Sequence, residues 1–117
     1  MAVILVVDDE PQFRRVMRIA LEARGYDVRE AGSGPDALTM LEKDIPQLVL
    51  LDWQMPGPNG LEICRTIRDS LRIPVIIVTS KNRSGREQAI AAGANDYVTK
   101  PFEFDYLVER VESVLSH

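Results

Sequence analysis

The sequence feature that most constrains the fold is a run of four apolar residues, Leu48 to Leu51, that ends in Asp52. Four apolar residues without alternation predict a strand that is buried on both faces, as in a parallel sheet. A turn rich in proline and glycine, residues 56–58, follows closely. Asp52 is therefore expected at the C-terminal end of a buried strand, and open α/β sheets bind their ligands at that edge.

The same pattern of an apolar run, a turn and an amphipathic helix recurs along the chain. Strands are predicted at residues 3–7, 27–30, 48–51, 74–78 and 96–99. Ser33, Asn59 and Ser84 are candidate N-caps, and Gly25 and Gly93 are placed to end helices. The first helix is predicted to face the sheet through Phe13, Val16, Met17, Ala20 and Leu21. Five strands alternating with five helices predict a doubly wound parallel sheet with helices on both faces.

Length and composition restrict the possible functions of the chain. Its 117 residues predict one domain over residues 1–117, and the net charge of −4 disfavours a direct nucleic-acid surface. The single Cys64 cannot form an internal disulfide and is expected to be a core thiol. The apolar run at residues 2–7 is too short for a membrane span or a signal peptide, so the sequence predicts a cytoplasmic protein without membrane contact.

Residues with chemical potential follow four of the predicted strands. Asp8 and Asp9 follow the first strand, Asp52 the third, Thr79 the fourth and Lys100 the fifth. Because parallel strands end at one edge, these side chains are expected to converge there. Crowded carboxylates repel each other unless a hard cation neutralises them, and an oxygen-only donor set suits Mg²⁺. The cluster contains neither cysteine nor histidine, which disfavours zinc and a thiol or imidazole nucleophile.

Each of these residues also has a purely structural interpretation when it is considered alone. Asp9 could be the N-cap of the first helix, and Asp52 could be a turn former. Thr79 could be a β-branched strand end, and Lys100 could be a solvated charge. Their joint placement at one edge of the sheet favours a functional site.

Four motifs together resemble the receiver domains of two-component response regulators, and the resemblance extends over the whole chain. They are Val-Val-Asp8-Asp9-Glu10-Pro11, the segment from Leu51 to Gly60, Val-Thr79-Ser80, and the segment from Gly93 to Phe102. The resemblance implies a flavodoxin-like (CheY-like) fold with strand order 2-1-3-4-5.

The resemblance also implies roles for individual residues in the predicted site. Asp52 would be the phosphoacceptor. Asp9, Asp52 and the backbone carbonyl of Gln54 would ligate Mg²⁺, and Asp8 would contribute through a water molecule. Thr79 and Lys100 would hold the phosphoryl oxygens.

A histidine kinase or a histidine phosphotransfer protein would supply the phosphoryl group from a phosphohistidine. The chain has no Gly-x-x-x-x-Gly-Lys-Ser/Thr loop, so direct use of ATP is not expected. By the same resemblance the chain would be a self-phosphorylating phosphoacceptor that can dephosphorylate itself, and not a turnover enzyme.

The resemblance further implies a switch. Tyr97 would turn inward when Thr79 moves toward the phosphate, and the surface of the fourth helix, fifth strand and fifth helix would change. Arg86, Asp96 and Arg110 are the residues assigned to this partner surface. A homodimer that depends on phosphorylation would use pairs such as Asp96 with Arg110 of the partner subunit. Trp53 is expected to be a semi-exposed packing residue beside the site.

Three other functions are compatible with parts of the pattern. A haloacid-dehalogenase-like phosphatase also uses an aspartate and Mg²⁺, but its two aspartates lie two residues apart on the first strand, whereas this chain has Asp8 next to Asp9. A flavodoxin-like electron carrier needs a phosphate loop rich in Ser, Thr and Gly after that strand, and the acids here would repel a flavin phosphate. A receiver domain that serves only as a constitutive docking module remains a third alternative.

Overall fold

The computed structural model describes residues 2–55, 59–80 and 85–116. The described residues form five strands: β1 (Val3–Val7), β2 (Asp27–Ala31), β3 (Leu48–Leu51), β4 (Val75–Thr79) and β5 (Asp96–Thr99). They alternate with five helices: α1 (Pro11–Glu22), α2 (Gly34–Lys43), α3 (Gly60–Ser70), α4 (Arg86–Ala91) and α5 (Phe104–Leu115). The strands pair in parallel in the order β2-β1-β3-β4-β5, which confirms the predicted doubly wound sheet and its strand order.

The register of the central strands aligns the ends of β1 and β3. Val7 pairs with Leu51, so Asp8 and Asp52 are the next residues on two adjacent strands. The backbone N–H of Asp52 donates to the carbonyl of Val7 at 3.0 Å and continues the ladder by one step. The two carboxylates are therefore side by side because the buried strands that precede them are in register.

Alternate residues of the buried strands contribute to two separate cores. On one face Leu5, Val49 and Ile77 pack with residues of α2, α3 and α4. On the other face Ile4, Leu50 and Ile76 pack with residues of α1 and α5. Burying one Leu, Ile or Val side chain stabilises a fold by about 1.5 to 3 kcal/mol, so these two cores hold the sheet edge in place.

Two of the predicted helix starts are confirmed by side-chain caps. Ser33 Oγ accepts a hydrogen bond from the N–H of Asp36, and Asn59 Oδ1 accepts one from the N–H of Glu62. Two glycines follow helices in the left-handed region, with φ of +94° at Gly25 and +102° at Gly93. The Ser84 cap and the turn at residues 56–58 lie outside the described residues.

Two expectations about burial are wrong. Val16 is 61 % exposed, because it lies about 100° around α1 from the buried Met17 and so falls outside the inward stripe. Trp53 is only 6 % exposed, because its ring packs edge-on against Tyr97. The expectation of a buried Cys64 is confirmed.

The helices in the described part of the chain are all too short or too polar to cross a membrane.

Candidate functional site

The three aspartates meet at the C-terminal edge of the sheet. One carboxylate oxygen each from Asp8, Asp9 and Asp52 lies within 4.8 Å of the others, and we call these residues the acid cluster. Asp8 and Asp52 are buried at the ends of β1 and β3, whereas Asp9 is exposed. The N-cap of α1 is Glu10, so the structure does not support the alternative in which Asp9 caps that helix.

Lys100 supplies a positive charge to the acid cluster. Its Nζ lies 3.0 Å from Asp8 Oδ2, 3.7 Å from Asp52 Oδ2 and 3.9 Å from Glu10 Oε1. The backbone N–H of Lys100 donates to the carbonyl of Thr79 at 2.8 Å, which ties the residue to the end of β4. Lys100 is therefore directed into the site and is not the solvated surface charge considered above.

The environment of Asp52 favours its neutral form, although several contacts oppose that effect. Burial raises the pKa of the Asp52 carboxyl, and the neighbouring charge of Asp8 raises it further. The charge of Lys100, a hydrogen bond of 3.1 Å from the N–H of Gln54 and a hydrogen bond from the Thr79 hydroxyl act in the opposite direction. The pKa of Asp52 is therefore raised above its ordinary value, which means that the ionised carboxylate lowers the stability of the folded state.

Gln54 and Thr79 both donate a hydrogen bond to the Asp52 carboxyl. Thr79 is fully buried and ends β4, whereas Gln54 is exposed in the segment after β3. The hydroxyl of Ser80 lies 3.1 Å from Gln54 Oε1 and donates to it, which connects the ends of β3 and β4 across the site. This contact is absent from the sequence-based predictions, because a pair 26 residues apart leaves no local signal.

Tyr97 is buried beneath α4 and is part of the same layer as Trp53. The two ring centroids lie 6.3 Å apart with an interplanar angle of 77°, an edge-to-face arrangement. Burial raises the pKa of the Tyr97 hydroxyl. A Cβ atom at Gly85 would come within 2.5 Å of Trp53 Cζ3 and 2.6 Å of the Tyr97 hydroxyl oxygen, so the start of α4 can approach both rings because Gly85 has no side chain.

The charged residues assigned to the partner surface contact each other within one chain. Asp96 is buried, and its Oδ2 lies 2.5 Å from Arg110 Nε. Its Oδ1 lies 3.6 Å from a terminal nitrogen of Arg86 and also accepts a hydrogen bond from the N–H of Tyr97. The sequence-based expectation paired Asp96 with Arg110 of the partner subunit. In the structure Asp96 and Arg110 of the same chain pair with each other and join β5 to α5.

The fold and this arrangement of residues define the class of the protein. The chain belongs to the response regulator receiver domain family, whose family model matches residues 4–112. The predicted resemblance is therefore confirmed. Domains of this family are the phosphoacceptor modules of two-component signalling.

Individual relatives support the assignment. The chain is 42 % identical to the transcriptional regulatory protein ResD of Bacillus subtilis, over 96 % of this chain and 47 % of that protein. It is 41 % identical to the phosphate regulon transcriptional regulatory protein PhoB of Pseudomonas aeruginosa, over 96 % of this chain and 51 % of that protein. The chain thus spans about half the length of these curated relatives.

A solved structure with the same fold contains ligands relevant to the site. It is the response regulator protein TrrA of Thermotoga maritima in complex with Mg²⁺ and BeF, with a TM-score of 0.90 and 37 % identity over 97 % of this chain and 99 % of that chain. The acid cluster offers only carboxylate oxygens, which are the ligands that Mg²⁺ prefers. The donor set of this chain therefore fits a magnesium ion.

Proposed function

We propose that Asp52 accepts a phosphoryl group from a phosphohistidine of a histidine kinase or a histidine phosphotransfer protein. The observation that carries the proposal is the placement of Asp52 at the buried end of β3, 3.7 Å from Lys100 and within the acid cluster. Membership of the receiver family supports it, because receiver domains of response regulators interact with histidine kinases. We further propose that residues 1–117 form one receiver domain that itself contacts no nucleic acid.

The transfer is a displacement at phosphorus. A carboxylate oxygen of Asp52 attacks the phosphorus atom, and the new O–P bond forms as the P–N bond of the donor breaks. The electron pair of that bond stays on the donor imidazole. Negative charge in the transition state spreads over three phosphoryl oxygens, where the Lys100 ammonium and the Thr79 hydroxyl stabilise it.

Asp9, Asp52 and the Gln54 carbonyl would hold magnesium, with Asp8 contributing through a water molecule. When it is bound, the ion supplies positive charge that offsets the carboxylates and the incoming phosphoryl oxygens. Asp8 Oδ2 lies 3.0 Å from Lys100 Nζ, so Asp8 would interact with both the ammonium and the metal.

The product is an acyl phosphate on the protein itself. One chain accepts one phosphoryl group, and hydrolysis of the acyl phosphate returns Asp52 to its starting state. The domain is therefore a phosphoacceptor with autodephosphorylation, and not a turnover enzyme. The adjacent positions of Asp8 and Asp9, with Asp8 paired to Lys100, do not favour the haloacid-dehalogenase-like alternative.

The readout of phosphorylation is proposed to pass through Thr79 and Tyr97 to the surface of α4, β5 and α5. Thr79 pairs with Thr99 in the sheet, two residues from Tyr97. A groove of about 720 Å³ opens on that surface, lined by Arg86, Tyr97, Phe102 and Tyr106 among others. Because Asp96 is already paired within the chain, a phosphorylation-dependent homodimer would use exposed pairs worth about 0.2 to 1 kcal/mol each, which makes it weak.

The test is phosphorylation by acetyl phosphate, followed by intact mass spectrometry. We expect one phosphoryl group per chain in the presence of Mg²⁺, and loss of labelling on chelation of the metal. Asp52→Asn should abolish labelling, because an amide is a poor nucleophile. Asp69→Asn, an exposed acid on α3, is the matched control and should label like the wild type. Equal labelling of Asp52→Asn and the wild type would refute the assignment of Asp52.

A further inference from the structure

The Lys100 ammonium lies over an aromatic ring, which carries no charge. Its Nζ lies 3.8 Å from the centroid of the Phe13 ring, close enough for a cation–π contact. We propose that Phe13 is a positioning residue that keeps the Lys100 ammonium beside Asp52. This inference rests on the proposed function, because it assigns Phe13 a role in phosphoryl transfer to Asp52.

The Phe13 ring is itself held in place from two directions. Its backbone lies in the first turn of α1, which begins two residues after Asp9 of the acid cluster. Its ring packs edge-to-face on Phe102, with centroids 6.4 Å apart and an interplanar angle of 89°. Phe102 is two residues after Lys100, so the ring joins the start of α1 to the segment that carries the lysine.

The carboxylates around Lys100 attract the ammonium in different directions. Asp8 and Asp52 are buried and draw it inward, whereas the side chain of Glu10 is 69 % exposed and would draw it toward solvent. A lysine side chain has four rotatable carbon–carbon bonds and loses much conformational entropy when it is fixed. The ring lies over the ammonium, and the lysine side chain is only 16 % exposed.

The contact with Phe13 also differs from the ion pairs in what else it depends on. Asp8 and Asp52 belong to the acid cluster, so a metal ion or a phosphoryl group bound there would compete with Lys100 for their oxygens. An aromatic ring has no ionisable group and no alternative ligand, so its attraction for the ammonium persists in each of those states. The contact with Phe13 therefore stabilises the position of the Lys100 ammonium whether or not a metal or a phosphoryl group is bound.

Three variants separate the aromatic character of Phe13 from its size. Phe13→Leu and Phe13→Met keep an apolar side chain at the α1 contact, whereas Phe13→Tyr keeps the ring. We expect the Phe13→Leu and Phe13→Met variants to label Asp52 with acetyl phosphate about two- to fivefold more slowly than the wild type, which corresponds to the free energy of a partly exposed cation–π contact. The Phe13→Tyr variant should keep the wild-type rate. In a Lys100→Ala background Phe13→Leu should cause no further loss.

A spectroscopic measurement tests the geometry without reference to phosphorylation. The ring should shield the Lys100 ε-methylene protons in the NMR spectrum, and Phe13→Leu should return them to the position of an ordinary lysine. Unshielded Lys100 protons in the wild type, or equal labelling rates in folded Leu, Met and wild-type proteins, would overturn the inference. Failure of the wild type to label at Asp52 would instead overturn the proposed function, and the NMR result would then report on the contact alone.

Discussion

At the scale of single residues, the burial of the Asp52 carboxyl has a cost in stability. Its carboxyl is buried, and burial is the largest cause of its raised pKa. A group whose folded pKa is raised binds protons more tightly in the folded state, so its contribution to stability is present at low pH and is lost as the pH rises through the folded pKa. At neutral pH the ionised Asp52 therefore destabilises the fold.

Asp52→Asn should consequently increase the free energy of unfolding at neutral pH, since it removes a charge that burial disfavours and keeps an oxygen to accept hydrogen bonds. The gain should shrink in acid, where the wild-type carboxyl is protonated. Urea unfolding at several pH values, without Mg²⁺, measures the difference. Asp69→Asn, at an exposed position, should show no such pH dependence. A variant that is less stable at neutral pH and gains stability in acid would contradict the expectation.

At the scale of secondary-structure elements, the junction between β3 and α3 fixes the approach of the helix to the site. The N–H of Gly60 donates to the carbonyl of Trp53 at 2.9 Å. A Cβ at Gly60 would lie 2.4 Å from the backbone oxygen of Asp52 and 2.5 Å from Trp53 Cα. Both are backbone atoms of the segment that follows β3, so relief of the clash requires that segment to move.

Gly60→Ala should lower the free energy of unfolding by about 3 kcal/mol and slow labelling of Asp52, because the clash displaces the end of β3. Gly25→Ala is the matched control: a Cβ there would meet nothing within 4 Å, although φ is +94°. That variant should lose about 1 to 2 kcal/mol from backbone strain alone and label normally. Equal losses in both variants would show that the contacts around Gly60 do not restrict the junction.

The elements that sequence predicts well are those defined by local patterns. Uninterrupted apolar runs such as Leu48 to Leu51 predicted the buried strands, and the residue after a strand end predicted the acid cluster. Val16 was misplaced because a spacing of three or four residues defines a stripe whose edges depend on the packing partner. The contact of Phe13 with Lys100 could not be predicted, since it joins the first helix to the segment after the last strand.

At the scale of the whole molecule, the last strand and the last helix are joined by a buried carboxylate. Asp96 on β5 pairs with Arg110 on α5 at 2.5 Å and, less closely, with Arg86 on α4. Breaking a buried ion pair from one side leaves an uncompensated charge, which costs more than the loss of an exposed pair. This pair therefore holds α5 against the edge of the sheet.

Arg110→Ala should lower the free energy of unfolding by about 1 to 3 kcal/mol, a value below that of a fully buried pair because the Arg110 side chain is 33 % exposed. Arg86→Ala, whose side chain is 55 % exposed and 3.6 Å from Asp96, should cost about 1 kcal/mol or less. Chemical denaturation measures both. A larger loss for Arg86→Ala would mean that α4, and not α5, compensates Asp96.

The strand order also has a consequence for the order in which the site is completed during synthesis. β1 and β3 are neighbours at the centre of the sheet, and β5 is an edge strand. A nascent chain can therefore gather Asp8, Asp9 and Asp52 before the ribosome has made Lys100. Until β5 docks, the Lys100 ammonium is not available to offset the repulsion among the three carboxylates. The centre of the sheet therefore reaches its full stability only after β5 and Lys100 have been translated.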